Sequence, residues 1–166
     1  MFKELWDWLK SLVIAVILAY LIHLFLFAVV VVQGPSMEPT LHNNERLIMN
    51  KIVYQIGEPE RGDIVVFHAT KNDDYIKRVI GLPGDKLEFN NNQLFVNDKP
   101  VDEPYLTNTF TNDFGPVSVP EGTYYVLGDN RLNSTDSRVL GSIQMDKIVG
   151  RVKILIWPIN KFSIID

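Results

Sequence analysis

Three polar segments of the chain contain the residue types that acyl-transfer chemistry requires. Gly34–Leu41 places Ser36 between two prolines, Tyr75–Asp85 contains Lys77 within an apolar strand pattern, and Gly128–Arg138 is rich in Asp, Asn and Ser. A serine hydroxyl is a poor nucleophile until a base removes its proton, and lysine serves as that base only when neutral. Together the segments suggest a serine nucleophile, a lysine base and a polar scaffold that orients them.

The alternation of the second segment indicates how Lys77 becomes neutral. In a strand Lys77 shares its face with Tyr75 and Val79, while Arg78 points the other way. An apolar face disfavours the ammonium form and lowers the pKa of a lysine. Taken alone, Lys77 is equally consistent with a surface lysine, and Ser36 is more typical of a turn hydroxyl or a helix cap than of a nucleophile. Their occurrence together with the third segment favours the catalytic interpretation.

Other catalytic chemistries have little support in the sequence. The chain has no cysteine, which excludes disulfides, thiolate catalysis and Cys-ligated zinc. Its histidines, His23, His42 and His68, do not have metal-site spacing, and no Gly-x-Ser-x-Gly nucleophile elbow is present. We therefore expect no metal, no cofactor and no Ser-His-Asp triad. The net charge of −4 argues against a nucleic-acid partner.

An uncharged apolar stretch precedes these segments. Ser11–Val32 contains no charged residue. Its 12–32 portion would be about 31 Å long as a helix, enough to cross a hydrocarbon core of ~30 Å. A cleaved secretory signal is the less favoured alternative, because the stretch exceeds the usual apolar core and lacks Ala-x-Ala before a polar segment. Lys3 and Lys10 on the short side favour a cytoplasmic N-terminus.

These features predict three parts and a mainly β fold. The parts are a cytoplasmic N-terminus (1–10), a transmembrane helix (11–32) and an extracytoplasmic domain (33–166) forming a compact β-barrel or sandwich. Apolar periodicity and Pro/Gly punctuation predict seven strands: Arg46–Met49, Asp63–Phe67, Tyr75–Ile80, Lys86–Phe89, Gln93–Val96, Thr123–Leu127 and Ile148–Trp157. Asp98–Pro116 has weak periodicity and is predicted to be a surface loop.

The segments described above are similar to sequence blocks of a known family. The chain resembles bacterial type I signal peptidases, membrane-bound Ser/Lys endopeptidases that remove signal peptides from exported proteins. The resemblance lies in four blocks in the same order, Ser36–Leu41, Arg61–Phe67, the segment around Lys77 and the block from Gly128 to Arg138. The short length and single apolar stretch resemble the Gram-positive type.

The resemblance implies roles for individual residues. Ser36 would be the nucleophile, Lys77 the general base, and Ser134 the residue that holds the Lys77 amine. The implied supporting residues are Gly128, Asp129 and the pair Asp136 and Arg138. The implied pocket for the small residue before the cleavage point consists of Val32, Met37, Leu41, Tyr75 and Ile76, and Gly34 is assigned to substrate binding with them.

One position departs from the pattern of some family members. Gly34 stands where those proteins have a serine whose hydroxyl helps the oxyanion hole. An oxyanion hole in this chain would then depend on backbone N–H groups, including that of Ser36.

The resemblance also implies a substrate and a location. The enzyme would act at a bacterial cell membrane on membrane-inserted preproteins, cleaving after small residues at Ala-x-Ala type sites. Its partners would be the lipid bilayer and the secretion translocon. Two alternatives stay open: a Ser/Lys protease of the self-cleaving repressor group, and a non-catalytic β module tethered to a membrane, in which Ser36 and Lys77 have no special role.

Overall fold

A long helix leads directly into the β structure. The computed structural model describes residues 2–106 and 111–165, without the side chains of residue 2 and residues 21–25. Helix α1 spans Phe2–Phe25, and strand β1 follows at Phe27–Val31. The predicted helix over 11–32 is therefore wrong in its last part. Phe27–Val31 is rich in β-branched valine, which favours a strand, and it pairs with another strand.

Two consequences concern the predicted parts of the chain. The folded β domain begins at Phe27, and Val32, assigned to the span, is buried in its core. Among the side chains that the structure describes, no helix combines the length and the apolar character needed to cross a membrane. The ends of the predicted parts at Met1 and Asp166 lie outside the described residues.

The mainly β prediction is confirmed. The other described strands are β2 (Arg46–Asn50), β3 (Ile64–His68), β4 (Asp74–Gly81), β5 (Lys86–Asn90), β6 (Gln93–Val96), β7 (Lys99–Val101), β8 (Phe114–Ser118), β9 (Thr123–Leu127), β10 (Ile143–Gln144), β11 (Ile148–Trp157) and β12 (Ser163–Ile164). Short helices are α2 (Val53–Ile56) and α3 (Ser137–Leu140), with 3₁₀ turns at Met145–Lys147 and Ile159–Lys161. All seven predicted strands are present, each ending within one residue of its prediction.

The strands form two open sheets within the described residues. The larger sheet has the order β1-β2-β11-β3-β4-β9-β10, with β12 paired to β11. The smaller sheet has the order β7-β6-β5-β8. The barrel alternative is not what forms, because β1 and β10 are the ends of their sheet. Strand β4, which contains Lys77, lies in its interior between β3 and β9.

Three apolar clusters fix this arrangement. One lies under β1, β2 and β11 and includes Val32, Met37 and Leu41 from the segment after β1. A second joins β4 and β9 to the smaller sheet, and a third lies between β3, β4, β9 and β10. The first cluster buries the side chains on both sides of Ser36, and burial of each such side chain contributes about 1.5–3 kcal/mol.

The predicted surface loop over Asp98–Pro116 is wrong at both ends. Strands β7 and β8 lie within it or overlap it. Phe114 stacks between Phe89 and Tyr125, with ring centroids 6.0 and 5.9 Å apart. The two prolines of these short strands disturb the period-2 pattern, and pairing with the smaller sheet decides their conformation instead. Residues 107–110 lie outside the described residues.

Candidate active site

Ser36, in the segment after β1, meets Lys77 of β4. Lys77 Nζ donates a hydrogen bond to Ser36 Oγ at 2.9 Å and a second to the Ile76 carbonyl, also at 2.9 Å. Lys77 is only 3% exposed, while Ser36 is partly open. A nucleophile and a base within about 2.6–3.2 Å satisfy the geometry that general-base activation requires.

The surroundings of Lys77 explain how its amine can lose a proton. Burial lowers the pKa of Lys77 from 10.5 to about 8, although the Asp136 and Asp129 carboxylates oppose the shift. On β4 the lysine lies opposite Val65, between the apolar neighbours of its face. Its amine lies 5.2 Å from the Tyr75 ring centroid. In about a tenth of the molecules the Lys77 amine is therefore neutral at pH 7.

A compact turn presents Ser36 to this lysine. Glu38 N–H donates to Pro35 O at 3.1 Å, and Leu41 N–H donates to Met37 O at 2.9 Å. These bonds close the chain on itself immediately after the serine. Met37 and Leu41 are both buried in the first apolar cluster. The hydroxyl of Ser36 is thus carried on backbone that is anchored on either side.

The third polar segment packs directly against this turn at Gly128. A Cβ built at Gly128 would overlap both the Ser36 carbonyl oxygen and Ser134 Oγ, so only glycine permits the approach. Ser134 Oγ is buried and has no hydrogen-bond partner among the described residues. The hydrogen bond expected between Ser134 and the Lys77 amine is therefore not formed, and Ile76 O accepts the amine's second hydrogen bond.

Asp136 and Arg138 form the expected pair. Arg138 Nε and Nη2 each donate to Asp136 at 2.8 Å, and Asp136 also accepts from Gly128 N–H at 3.0 Å. Burial alone would raise the pKa of Asp136, but these hydrogen bonds hold it below its usual value. The nearby Ser134 hydroxyl, although outside hydrogen-bonding geometry, adds a smaller stabilisation of the carboxylate. The carboxylate thereby fixes Gly128 and places a negative charge near the lysine.

Asp129 forms a second buried pair with an arginine that follows Lys77. Arg78 Nε and Nη2 donate to Asp129 at 3.0 and 2.8 Å, and the two side chains are 1% and 0% exposed. Asp129 also accepts from Thr40 Oγ1 at 2.5 Å. These contacts join β4, the serine turn and the end of β9 through one carboxylate.

A cleft of about 1030 Å³ opens over the two residues. Its lining includes Ser36, Lys77 and Ser134 together with four residues of the predicted pocket: Val32, Met37, Tyr75 and Ile76. The other two residues predicted to bind substrate, Leu41 and Gly34, do not line it. Leu41 is fully buried in the first cluster, because the turn after Ser36 directs its side chain inward. Among the described residues, no three metal-ligating side chains come together.

Gly34 has a structural reason to be glycine. Its φ angle is +82°, in the left-handed region that glycine adopts without strain. Its N–H donates to Asn43 Oδ1 at 2.9 Å, which ties the entry of the serine turn to the chain that follows it. A serine at this position would be strained in the conformation seen here.

Comparisons with known proteins identify the family of the chain. Residues 5–157 match the model of the family described as "Signal peptidase, peptidase S26". The chain belongs to this signal peptidase family. It is 50% identical to signal peptidase I S of Bacillus subtilis over 173 aligned positions, covering 96% of this chain and 92% of that protein. It is 44% identical to signal peptidase IB of Staphylococcus aureus, covering 97% and 94%.

A solved structure supports the same assignment. A crystal structure of a signal peptidase I from Enterococcus faecalis is similar with a TM-score of 0.53 and 35% sequence identity. The match covers 58% of this chain and 97% of that one. Like the family to which it belongs, the chain is a peptidase, and hence a hydrolase of peptide bonds.

The sequence analysis did not single out some of the residues around the candidate site. Thr40 donates a hydrogen bond to Asp129, and Asn130 N–H donates one to the Ser36 carbonyl. Glu103 accepts a hydrogen bond from Arg131. Thr40 and Asn130 lie inside the matching blocks, so their position was a usable signal. Glu103 lies in the segment with weak periodicity, and nothing in the local pattern indicates its contact.

Proposed function

We propose that this member of the signal peptidase family removes signal peptides from preproteins, with Ser36 as nucleophile and Lys77 as general base. The supporting observation is the buried Lys77 amine 2.9 Å from Ser36 Oγ, with its pKa lowered to about 8. Neutral Lys77 takes the hydroxyl proton while Ser36 Oγ attacks the scissile carbonyl carbon. The C–N bond then breaks, the proton passes to the leaving amine, and an acyl ester remains on Ser36.

The second half of the reaction uses the same base. Lys77 takes a proton from water, the resulting hydroxide attacks the ester carbonyl, and the proton returns to Ser36 Oγ as the ester bond breaks. The backbone N–H of Ser36 has no acceptor among the described residues and is our candidate oxyanion donor. The Gly34 N–H is held by Asn43 and is not available in this geometry.

The cleft suits an extended peptide with a small residue at the cleavage point. Val32 and Met37 are buried, Tyr75 and Ile76 are half-buried, and all four line the cleft together with Ser36. An apolar pocket closed by such side chains admits alanine and excludes bulkier residues by overlap. We therefore propose cleavage after Ala-x-Ala type sites.

The test is preprotein cleavage measured as a function of pH. Because only neutral Lys77 acts as base, we expect the rate to rise with pH and level off above about 8. At pH 6 it should be about a hundredfold below the plateau. Sequencing of the new N-terminus checks the cleavage position, and a preprotein with leucine in place of the last alanine serves as control.

Two controls make this profile decisive. Returning the pH 6 sample to pH 9 should restore the rate, which excludes acid inactivation. An acidic limb near pH 4 would identify a carboxylate base instead and would end the lysine mechanism. Absence of any cleavage of preproteins would favour the alternative of a tethered binding module.

We further propose that α1 attaches the enzyme to the bacterial cell membrane, with the N-terminus in the cytoplasm and the β domain outside. Support comes from apolar side chains exposed along Lys3–Tyr20, and from the outward face of β1. The exposed apolar residues are Leu5, Trp6, Trp8, Leu9, Leu12, Val13, Ile14, Val16, Ile17, Leu18, Tyr20, Phe27, Val29 and Val31. Preproteins leaving the secretion translocon would then meet the site at a high effective concentration.

Two truncations test this attachment. Most of a chain starting at Phe27 should leave the membrane fraction, because it lacks α1. It should still cleave a soluble peptide, because it keeps β1. A chain starting at Gln33 should be much less stable, since it loses β1 and Val32 from the core. Full-length protein released from membranes by alkaline carbonate would contradict the attachment. Resistance of the β domain to protease added outside wall-stripped cells would contradict the orientation.

A further inference from the structure

The segment that follows β7 returns to the arginines beside the serine turn. Glu103 accepts from Arg131 Nη1 at 2.9 Å and from Nη2 at 2.5 Å, and the side chains are 6% and 1% exposed. Tyr105 donates its hydroxyl to Glu103 at 2.6 Å. The guanidinium carbon of Arg78 lies 3.8 Å from the centroid of the Tyr105 ring. A bidentate ion pair of this kind fixes the orientation of both partners.

The arginine of this pair holds a turn that contacts Ser36. Arg131 Nε donates to the Gly128 carbonyl at 3.1 Å. Asn130, the preceding residue, donates its backbone N–H to Ser36 O at 3.1 Å and its side-chain amide to Pro35 O at 3.2 Å. Glu103 is therefore linked to the serine through the hydrogen bonds of Arg131, the covalent backbone of residues 128–131, and the hydrogen bond from Asn130 N–H to Ser36 O.

We propose that Glu103 is a positioning residue for signal-peptide cleavage. Its carboxylate fixes Arg131, which holds the Gly128–Asn130 turn and through it keeps Ser36 aligned with Lys77. The inference rests on the proposed function, in which Ser36 is the nucleophile and Lys77 the general base. Displacement of a reacting group by about 1 Å can lower a rate about a hundredfold, so a remote residue that sets this alignment has a measurable effect on turnover.

The test is the Glu103→Gln variant, compared with Asp102→Asn at the exposed neighbouring position. Glutamine keeps the size of the side chain but loses the negative charge and one of the two oxygens that accept the guanidinium hydrogen bonds. We expect kcat per folded molecule to fall about ten- to a hundredfold with KM within about twofold of the parent. Near-UV circular dichroism gives the folded fraction. Asp102→Asn should be indistinguishable from the parent.

Two further measurements separate positioning from stability. Because the effect passes through the arginine, Glu103→Gln should cost little additional kcat in an Arg131→Met background. Should Glu103→Gln fail to fold, Glu103→Asp keeps the charge and is expected to fold with an intermediate kcat. A parental kcat in a folded variant, a loss proportional to the unfolded fraction, or an increase in KM alone would overturn the inference.

Preprotein cleavage by a Ser36→Ala variant is measured in parallel with these variants. If it cleaves preproteins, the proposed function fails and the Glu103 result cannot be assigned to alignment of a nucleophile. If it is inactive while folded Glu103→Gln cleaves at the parental rate, only the positioning inference fails.

Discussion

Replacing Ser36 with alanine abolishes preprotein cleavage in our expectation, and so does replacing Lys77 with alanine. Each change removes one partner of the 2.9 Å hydrogen bond between the hydroxyl and the amine. We expect kcat to fall on the order of 10⁴-fold or more, as in hydrolases whose nucleophile and base act as a unit. The double variant should be no worse than either single variant. Lys77→Arg should also fail, because a guanidinium stays protonated.

The control for these variants is Lys153→Ala, which removes an exposed lysine of β11 far along the chain. It should cleave like the parent. Circular dichroism should show that all variants are folded, because Ser36 is only partly buried and Lys77 forms no ion pair with any residue that the structure describes. Near-parental cleavage by Lys77→Ala would show that another base operates.

The second large effect concerns stability rather than turnover. Asp129→Asn leaves the Arg78 guanidinium buried beside a neutral amide, and removal of one charge from a buried pair costs about 3–5 kcal/mol. We expect the midpoint of denaturant unfolding to fall accordingly. The double variant Asp129→Leu with Arg78→Met should recover much of the loss, because apolar residues of similar size need no counter-charge.

An exposed pair provides the comparison. Lys86 Nζ also lies 2.8 Å from Asp98 Oδ1, but both side chains are largely exposed. Asp98→Asn should therefore leave the free energy of unfolding almost unchanged, since exposed ion pairs are screened by water. Equal effects of Asp129→Asn and Asp98→Asn would refute the assignment of stability to burial.

How much could be predicted from the sequence depends on the range of the interactions involved. Alternation within β4 identifies the strand and the apolar face of Lys77, because side-chain direction is a local property. The end of α1 could not be located in this way. Phe27–Val31 continues an apolar run, and only its pairing with Arg46–Asn50 decides that it is a strand.

The same distinction between local patterns and long-range contacts applies to the candidate site. The blocks around Ser36, Lys77 and Gly128 are visible as sequence patterns, and the structure brings them together. The Glu103–Arg131 pair is not visible, since its residues are 28 positions apart and meet only because the smaller sheet returns the chain to β9. Likewise the partner of the Lys77 amine, Ile76 O rather than Ser134, depends on side-chain geometry that no pattern encodes.

The strand order has a consequence for the timing of synthesis. Strand β11, Ile148–Trp157, lies between β2 and β3, so the part with β1 and β2 joins the part with β3 and β4 in the sheet only through it. Ser36 follows the first part and Lys77 belongs to the second. While residues 148–157 are still inside the ribosome, these two parts of the larger sheet lack the strand that joins them. We therefore expect no peptidase activity from the growing chain until β11 has left the ribosome.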